Sequence, residues 1–480
     1  MQRRSFLLYG GSALVGWAMT RCRPLARSGG GPTRLGSVDG QLAIALTAAE
    51  QSVTVAGRSA TLLAYNQQVP GPLWEANAGD VVQIDFHNQL TSPTNLHFHG
   101  LHIPPTGTAD NPFLTIPPGA TGRYEFTIPA AHPGGLFWYH PHHHGMVAEQ
   151  VFGGLAGAFI VRGAVDQIPE IQAASEAVLV LQDFDLTWRG QRQAPTPMWR
   201  RWGREGNLIT VNGDRAPTLT LTSGGLLRLR LLNASPSRFY RLRLENHPWH
   251  LIGLDGGALS APVELDTDLI LAPGERADLL VAGDRPPDRY TLLSWPDDRG
   301  LTDMMGGMGE QHRGDRGGPP VPTPLAQIQY GAATAAAAVP LPTTLIPATP
   351  LANPVRRREF ILDHGLDDGQ YFLINGRGFD HDRVDTTVTL DTVEDWHIIN
   401  RAGMDHPFHI HTNAFQILRQ NGQPYPFTVW KDVVNVKAYE TVDLRMAFTD
   451  FPGKTVYHCH VLDHEDQGMM GILDIQAPVV

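Results

Sequence analysis

His458-Cys459-His460, followed by His464 and Met469, constrains this chain more than any other feature. A thiol, imidazoles and a thioether sit within one short segment, a donor set that lacks only a second histidine from elsewhere. In an extended backbone, alternation throws Cys459 to one side and His458 and His460 to the other. One strand would then serve metal on both faces and join two sites through covalent bonds.

The remaining donors stand in three more clusters: His97-Phe98-His99, His140-Pro141-His142 and His406-Pro407-Phe408-His409-Ile410-His411. Each His-x-His pair places both imidazoles on one face of a strand. Of 21 histidines, ten fall into these four groups, which random scatter would not produce. A single such pair is as readily a surface or core pair as a ligand pair, but four together are not. Zinc also takes Cys and His, yet one usable cysteine and ten grouped histidines exceed any single tetrahedral site. A soft thiolate that moves electrons, beside imidazoles, suits copper. Outside the clusters, His102, His143 and His144 read as loop residues beside the ligands, His247 and His250 as packing residues, and His132 and His312 as solvent or loop residues.

These four ordered segments resemble the copper-binding segments of the multicopper oxidases, a family that includes laccases, bilirubin oxidases and bacterial copper efflux oxidases. The resemblance covers essentially the whole chain beyond its first residues. It implies four copper ions: a mononuclear blue site of His406, Cys459, His464 and axial Met469, a single copper on His97 and His409, and a coupled pair on His99, His140, His142, His411, His458 and His460. It also implies three consecutive cupredoxin-like Greek-key β-sandwich domains, an all-β fold, with the trinuclear cluster between the first and third. The reaction implied is one-electron oxidation of a small donor coupled to reduction of dioxygen to water.

Protons are needed at that cluster. Asp110, soon after His99, and Glu465, directly after His464, stand near acidic positions of the family and are the candidates for a proton relay. Two kinds of donor fit. Copper efflux oxidases carry methionines over the blue site, and this chain has Asp303-Met304-Met305-Gly306-Gly307-Met308 and Met404, two residues before His406. Soft thioethers bind copper(I), although methionine is also an adaptable filler. An open blue site would instead favour phenols and aromatic amines. A copper nitrite reductase shares the fold, but it normally has two domains and lacks the paired His-x-His set. A non-enzymatic envelope scaffold related to these oxidases would have lost copper ligands, whereas every position is filled here.

The 480 residues suggest two to four domains. A formal net charge of −11 argues against nucleic acid as a partner. Met1-Gln2-Arg3-Arg4-Ser5-Phe6-Leu7-Leu8 and the short apolar run after it read as a twin-arginine export signal, too short to span a bilayer. Export in the folded state to the periplasm or another extracytoplasmic space is therefore expected, with no lipid anchor, no membrane span in the mature protein and a monomeric state. Loss of Cys22 with the signal would leave Cys459 as the only cysteine, so no disulfide could form.

Strand-like runs recur between turn signals at residues 53–56, 81–86, 124–128, 158–161, 218–221, 226–232, 279–282, 388–390, 396–400 and 441–446, and no long amphipathic helix competes. Asn212-Gly213 and Asn375-Gly376 are turn signals. The expected organisation is a signal and disordered start over 1–37, sandwiches over 38–165, 166–330 and 355–480, and an Ala/Pro/Thr-rich linker over 331–354.

Overall fold

The computed structural model describes residues 23–25, 31–300, 321–331 and 338–478. Each strand-like run falls in or against a strand, and among the described residues no α-helix exceeds six residues. The strands form three two-sheet sandwiches in chain order, the architecture that the resemblance implies.

The same pairing scheme appears three times. In one sheet of each sandwich, the first long strand runs parallel to a later one: Gln41–Val55 to Val81–Asn88, Ser175–Phe184 to Leu226–Asn233, and Arg356–Asp367 to Thr392–Asn400. In the facing sheet the last strand runs parallel to an earlier one: Gly157–Arg162 to Leu73–Asn77, Thr323–Gly331 to Thr218–Thr222, and Met470–Gln476 to Thr386–Thr389. Such pairs require the crossover connections of a Greek key rather than simple hairpins. Alternating residues such as Leu42, Ile44 and Leu46 point inward, and each inward aliphatic side chain contributes about 1.5–3 kcal/mol by leaving water.

Turn chemistry repeats with the topology. Asn66-Gln67, Asn212-Gly213 and Asn375-Gly376 all have positive φ at both residues, as a tight primed turn requires. The three Asn side chains each accept a backbone N–H from the neighbouring strand, at Thr47, Val180 and Ile361.

The amino-terminal stretch differs from expectation. Residues 31–37, assigned above to a disordered start, include the strand Arg34–Gly36, which pairs in parallel with Leu73–Asn77. Three residues are too few for periodicity to reveal. Gly331, assigned to the linker, ends the strand Thr323–Gly331; the described residues 338–354 have no strand or helix, yet Leu345 is buried in the middle core. No helix among the described residues is long and apolar enough to cross a membrane.

Candidate metal centre

Strand register brings the four clusters together. His97 lies opposite His140 in the first sandwich, and His458 and Cys459 lie opposite His409 and Phe408 in the third. The ten histidines, Cys459 and Met469 are all buried.

Cys459 and Met469 share the apolar core of the third sandwich. Cys459 Sγ is 3.4 Å from His406 Nδ1 and 3.8 Å from His464 Nδ1, and the two Nδ1 atoms are 3.2 Å apart. Burial pushes the thiol pKa upward, so a thiolate there needs a cation beside it.

On the opposite face of the tripeptide, eight imidazoles surround one cavity between the first and third sandwiches. His142 Nε2 and His411 Nε2 stand 3.1 and 3.2 Å from His458 Nε2. His97 Nε2 and His409 Nε2 are 3.4 Å apart. The outward nitrogens fix the tautomers. Nδ1–H of His140, His409 and His458 donates to the carbonyls of Pro141, Asp432 and Cys459, and that of His97 donates to Asp110 at 2.8 Å. The inward nitrogens therefore carry lone pairs. His99 Nδ1, His140 Nε2 and His460 Nε2 are buried without any hydrogen-bond partner. Lone pairs that face one another repel unless a cation lies among them, so this donor set fits metal. Burial and then neighbouring imidazoles push His97, His409 and His411 well below the usual histidine range. Burial holds His140 at about 3. Neutral imidazole is the form that ligates.

Residues 47–165, 181–301 and 352–478 each match a family profile described as multicopper oxidase. A solved multicopper oxidase from Campylobacter jejuni, described as a metallo-oxidase, superposes with a TM-score of 0.81 at 30% identity, covering 96% of this chain and 95% of that one. The multicopper oxidase mco of Staphylococcus aureus is 29% identical over 87% of this chain and 85% of its own length. The cell division protein FtsP of Escherichia coli (strain K12) is 30% identical over 98% of each. This chain belongs to the multicopper oxidase family. The family implies copper cofactors, and nitrogen and sulfur donors suit that metal.

Both acidic candidates touch imidazoles of the cavity. Asp110 is buried against His97, accepts the Phe98 N–H at 2.9 Å, and has its pKa pushed up to about 8 by burial. Glu465, fully buried, lies 3.1 Å from His458 Nδ1 and 3.3 Å from His142 Nε2, although neither approach has hydrogen-bond geometry.

Sequence reasoning missed the group that braces the cavity. Asp432 accepts from His99 Nε2 at 2.9 Å, and its backbone carbonyl is the one that holds His409. The Arg276 guanidinium of the middle sandwich grips both Asp432 oxygens at 2.6 Å. Asp255, also from the middle sandwich, accepts the backbone N–H of Arg276 and of Asp432 and pairs with Lys431. Gly100, next to His99, is required here: its φ is +85°, and a Cβ would lie 2.5 Å from Arg276 Nη2. The one available signal was the charged pair Lys431-Asp432 entering the apolar strand Val433–Val436.

Other expectations are refined. His132, read as a solvent or loop residue, lies in a loop but is buried, and accepts the His102 backbone N–H. His102 itself bonds Thr412 O and Asp450, and His247 bonds Tyr330. Met404 is buried in the third core, a placement for packing rather than for capturing copper(I) from solvent. Met304, Met305, Met308 and His312 lie outside the described residues. Arg299, described and close to them in sequence, accepts at its carbonyl from Asp405 N.

Proposed function

We propose that this protein is an oxidase that passes electrons singly from a small donor to dioxygen. His406, Cys459, His464 and Met469 would hold one copper, and the eight imidazoles of the shared cavity three more: His97 and His409 one, and His99, His140, His142, His411, His458 and His460 a coupled pair. Bound copper would supply the one-electron acceptor at the first site and the four-electron reduction of dioxygen to two waters at the second.

The chain's own contribution is wiring, geometry and protons. Cys459 is joined through backbone to His458 and His460, which gives electrons a covalent route between the sites. Asp110 and Glu465 would hold or pass protons at His97 and at the His142/His458 pair. The observation that carries this reading is the set of inward, unpartnered imidazole nitrogens directly behind the buried cysteine. The donor class proposed is copper(I), phenols or aromatic amines. The twin-arginine pair Arg3-Arg4 supports export to an extracytoplasmic space.

The likeness to FtsP favours a second reading, a role in cell division without oxidation. A scaffold has no use for this many buried, metal-poised nitrogens, which supports the oxidase. The deciding experiment is copper content and oxygen uptake of the purified protein with copper(I), and with dimethoxyphenol in the presence and absence of copper(II). Uptake with copper(I), and with phenol only when copper(II) is added, gives a cuprous oxidase. Phenol turnover without it gives a laccase. A colourless protein with no uptake sinks the oxidase and leaves the scaffold.

A further inference from the structure

Electrons from any donor must cross protein to reach the mononuclear site, because His406 and His464 are both 0% exposed. The paired strands Arg356–Asp367 and Gln370–Ile374 lie over them, with His364 opposite Phe372. Each of these two rings meets one ligand. His364 stands edge-on to His406 at 5.4 Å, and Phe372 stacks on His464 at 4.0 Å and 17°. Both then meet Tyr371, at 5.3 and 5.1 Å. Tyr371 and His364 are both partly exposed, whereas Phe372 is buried.

A short helix of the middle sandwich, Pro197–Trp202, covers this edge. Its Arg201 guanidinium lies 4.1 Å from the Tyr371 ring centre. Gln467 of the ligand loop donates to Arg200 O, and Arg204 grips Asp463 beside His464 with contacts from 2.6 Å. The helix is thus fastened to the loop that carries the ligand.

We propose that Tyr371 and His364 form the electron port of this protein, and that its donor is an anionic aromatic, a phenolate or carboxylated phenol, seated at Tyr371 beside Arg201. The inference rests on the oxidase reading above. Ring edges of Tyr371 and the half-buried Trp202 suit an aromatic donor, while exposed Arg200 and Arg201 attract an anion and repel a copper ion. The exposed thioether on this helix, Met198, already accepts the Trp202 indole N–H. The donor phenolate loses one electron and becomes a phenoxyl radical, and a neutral phenol also releases its proton to water. The electron would pass by way of the His364 and His406 rings to the copper that His406, Cys459 and His464 would hold, taking it from the +2 to the +1 state.

The test uses copper-loaded full-length protein and its Tyr371→Leu, His364→Leu and Arg201→Glu variants. Anaerobic bleaching of the blue band is followed with syringate, with neutral 2,6-dimethoxyphenol and with dithionite, together with the equilibrium potential of the blue site. Expected is an unchanged band and potential in every variant, with bleaching by both phenols slowed about tenfold in the two leucine variants. Arg201→Glu should slow syringate about tenfold more than the neutral phenol, and should weaken calorimetric binding of benzoate about fivefold. Unchanged phenol rates in both leucine variants overturn the port, as does slowing that tracks a shifted potential, since that is the mark of a ring that merely supports His406. Equal effects of Arg201→Glu on the two phenols overturn the anion preference. A wild-type protein with no blue band, or one that dithionite cannot bleach, defeats the oxidase reading itself and the port with it.

Discussion

The two candidate copper sites lie back to back on one strand, yet they are built differently. The donors around Cys459 all come from the third sandwich, within residues 406–469, so that site draws its whole donor set from one domain, although the middle sandwich braces its ligand loop through Arg204. The eight imidazoles behind it come from the first and third sandwiches, and the ligand-free middle one holds them in place through the grip of Arg276 on Asp432. The mononuclear site is a property of a domain, whereas the shared cavity is a property of domain docking. Removing metal or docking should therefore affect the second before the first.

Cys459→Ser should have the largest effect and break the comparison from the mononuclear side. Loss of the thiolate removes the blue absorbance and reduces turnover with every donor to background. The shared cavity keeps its eight imidazoles, so copper there should remain, seen as about three-quarters of the wild-type copper content. Complete loss of copper would show that the two sites load as one.

Arg276→Ala tests the other side. It leaves Asp432 buried without its cation, a loss of about 3–5 kcal/mol when one partner of a buried pair is deleted. Expected are a lower unfolding temperature and reduced copper in the shared cavity with the blue band retained. If the blue band fell in parallel with the cavity copper, the separation drawn here would be wrong. Glu465→Gln is smaller in stability and specific in chemistry. It should slow oxygen reduction about a hundredfold while donors still bleach the blue band at the normal rate. Equal turnover would remove Glu465 from the proton path.

What the sequence revealed follows from the same division. The ligands were legible because soft and imidazole donors at strand spacing have few other uses, and because His-Cys-His ties both sites to one strand. Asp432 and Arg276 were not, because an ion pair between residues far apart in the chain leaves no shared pattern, and the charged pair Lys431-Asp432 before an apolar strand does not name its partner. Met404 was misleading for the opposite reason: a methionine beside a ligand suggests copper, but the bend that precedes strand His406–Ile410 turns it into the core. Pro197–Trp202, too short for a periodic signal, could not be tied to the ligand loop without the contacts of Arg200, Arg201 and Arg204.

The smallest effects come from the repeated turns, and they sharpen the comparison because each turn belongs to one sandwich. Asn212-Gly213 and Asn375-Gly376 announced themselves, while Asn66-Gln67 adopts the same positive φ without glycine. Replacing the Asn by Gly keeps the backbone and deletes only the side-chain bonds, at about 1 kcal/mol each time. Asn66 bonds Thr47 N and Ala45 O, both at 2.8 Å. Asn375 bonds Ile361 N at 2.7 Å but reaches Glu359 O only at 3.4 Å. Asn66→Gly should therefore cost more than Asn375→Gly, although it lies farther from Cys459 in the chain. On heating, Asn66→Gly should release cavity copper at a lower temperature than wild type while the blue band survives to its usual temperature, because the first sandwich supplies imidazoles only to the shared cavity. Asn375→Gly loosens the sandwich that carries both sites, so copper release and bleaching should move down together. A common shift in both variants would mean that the three sandwiches unfold as one cooperative unit and that docking, rather than any single domain, sets the stability of the mononuclear site as well.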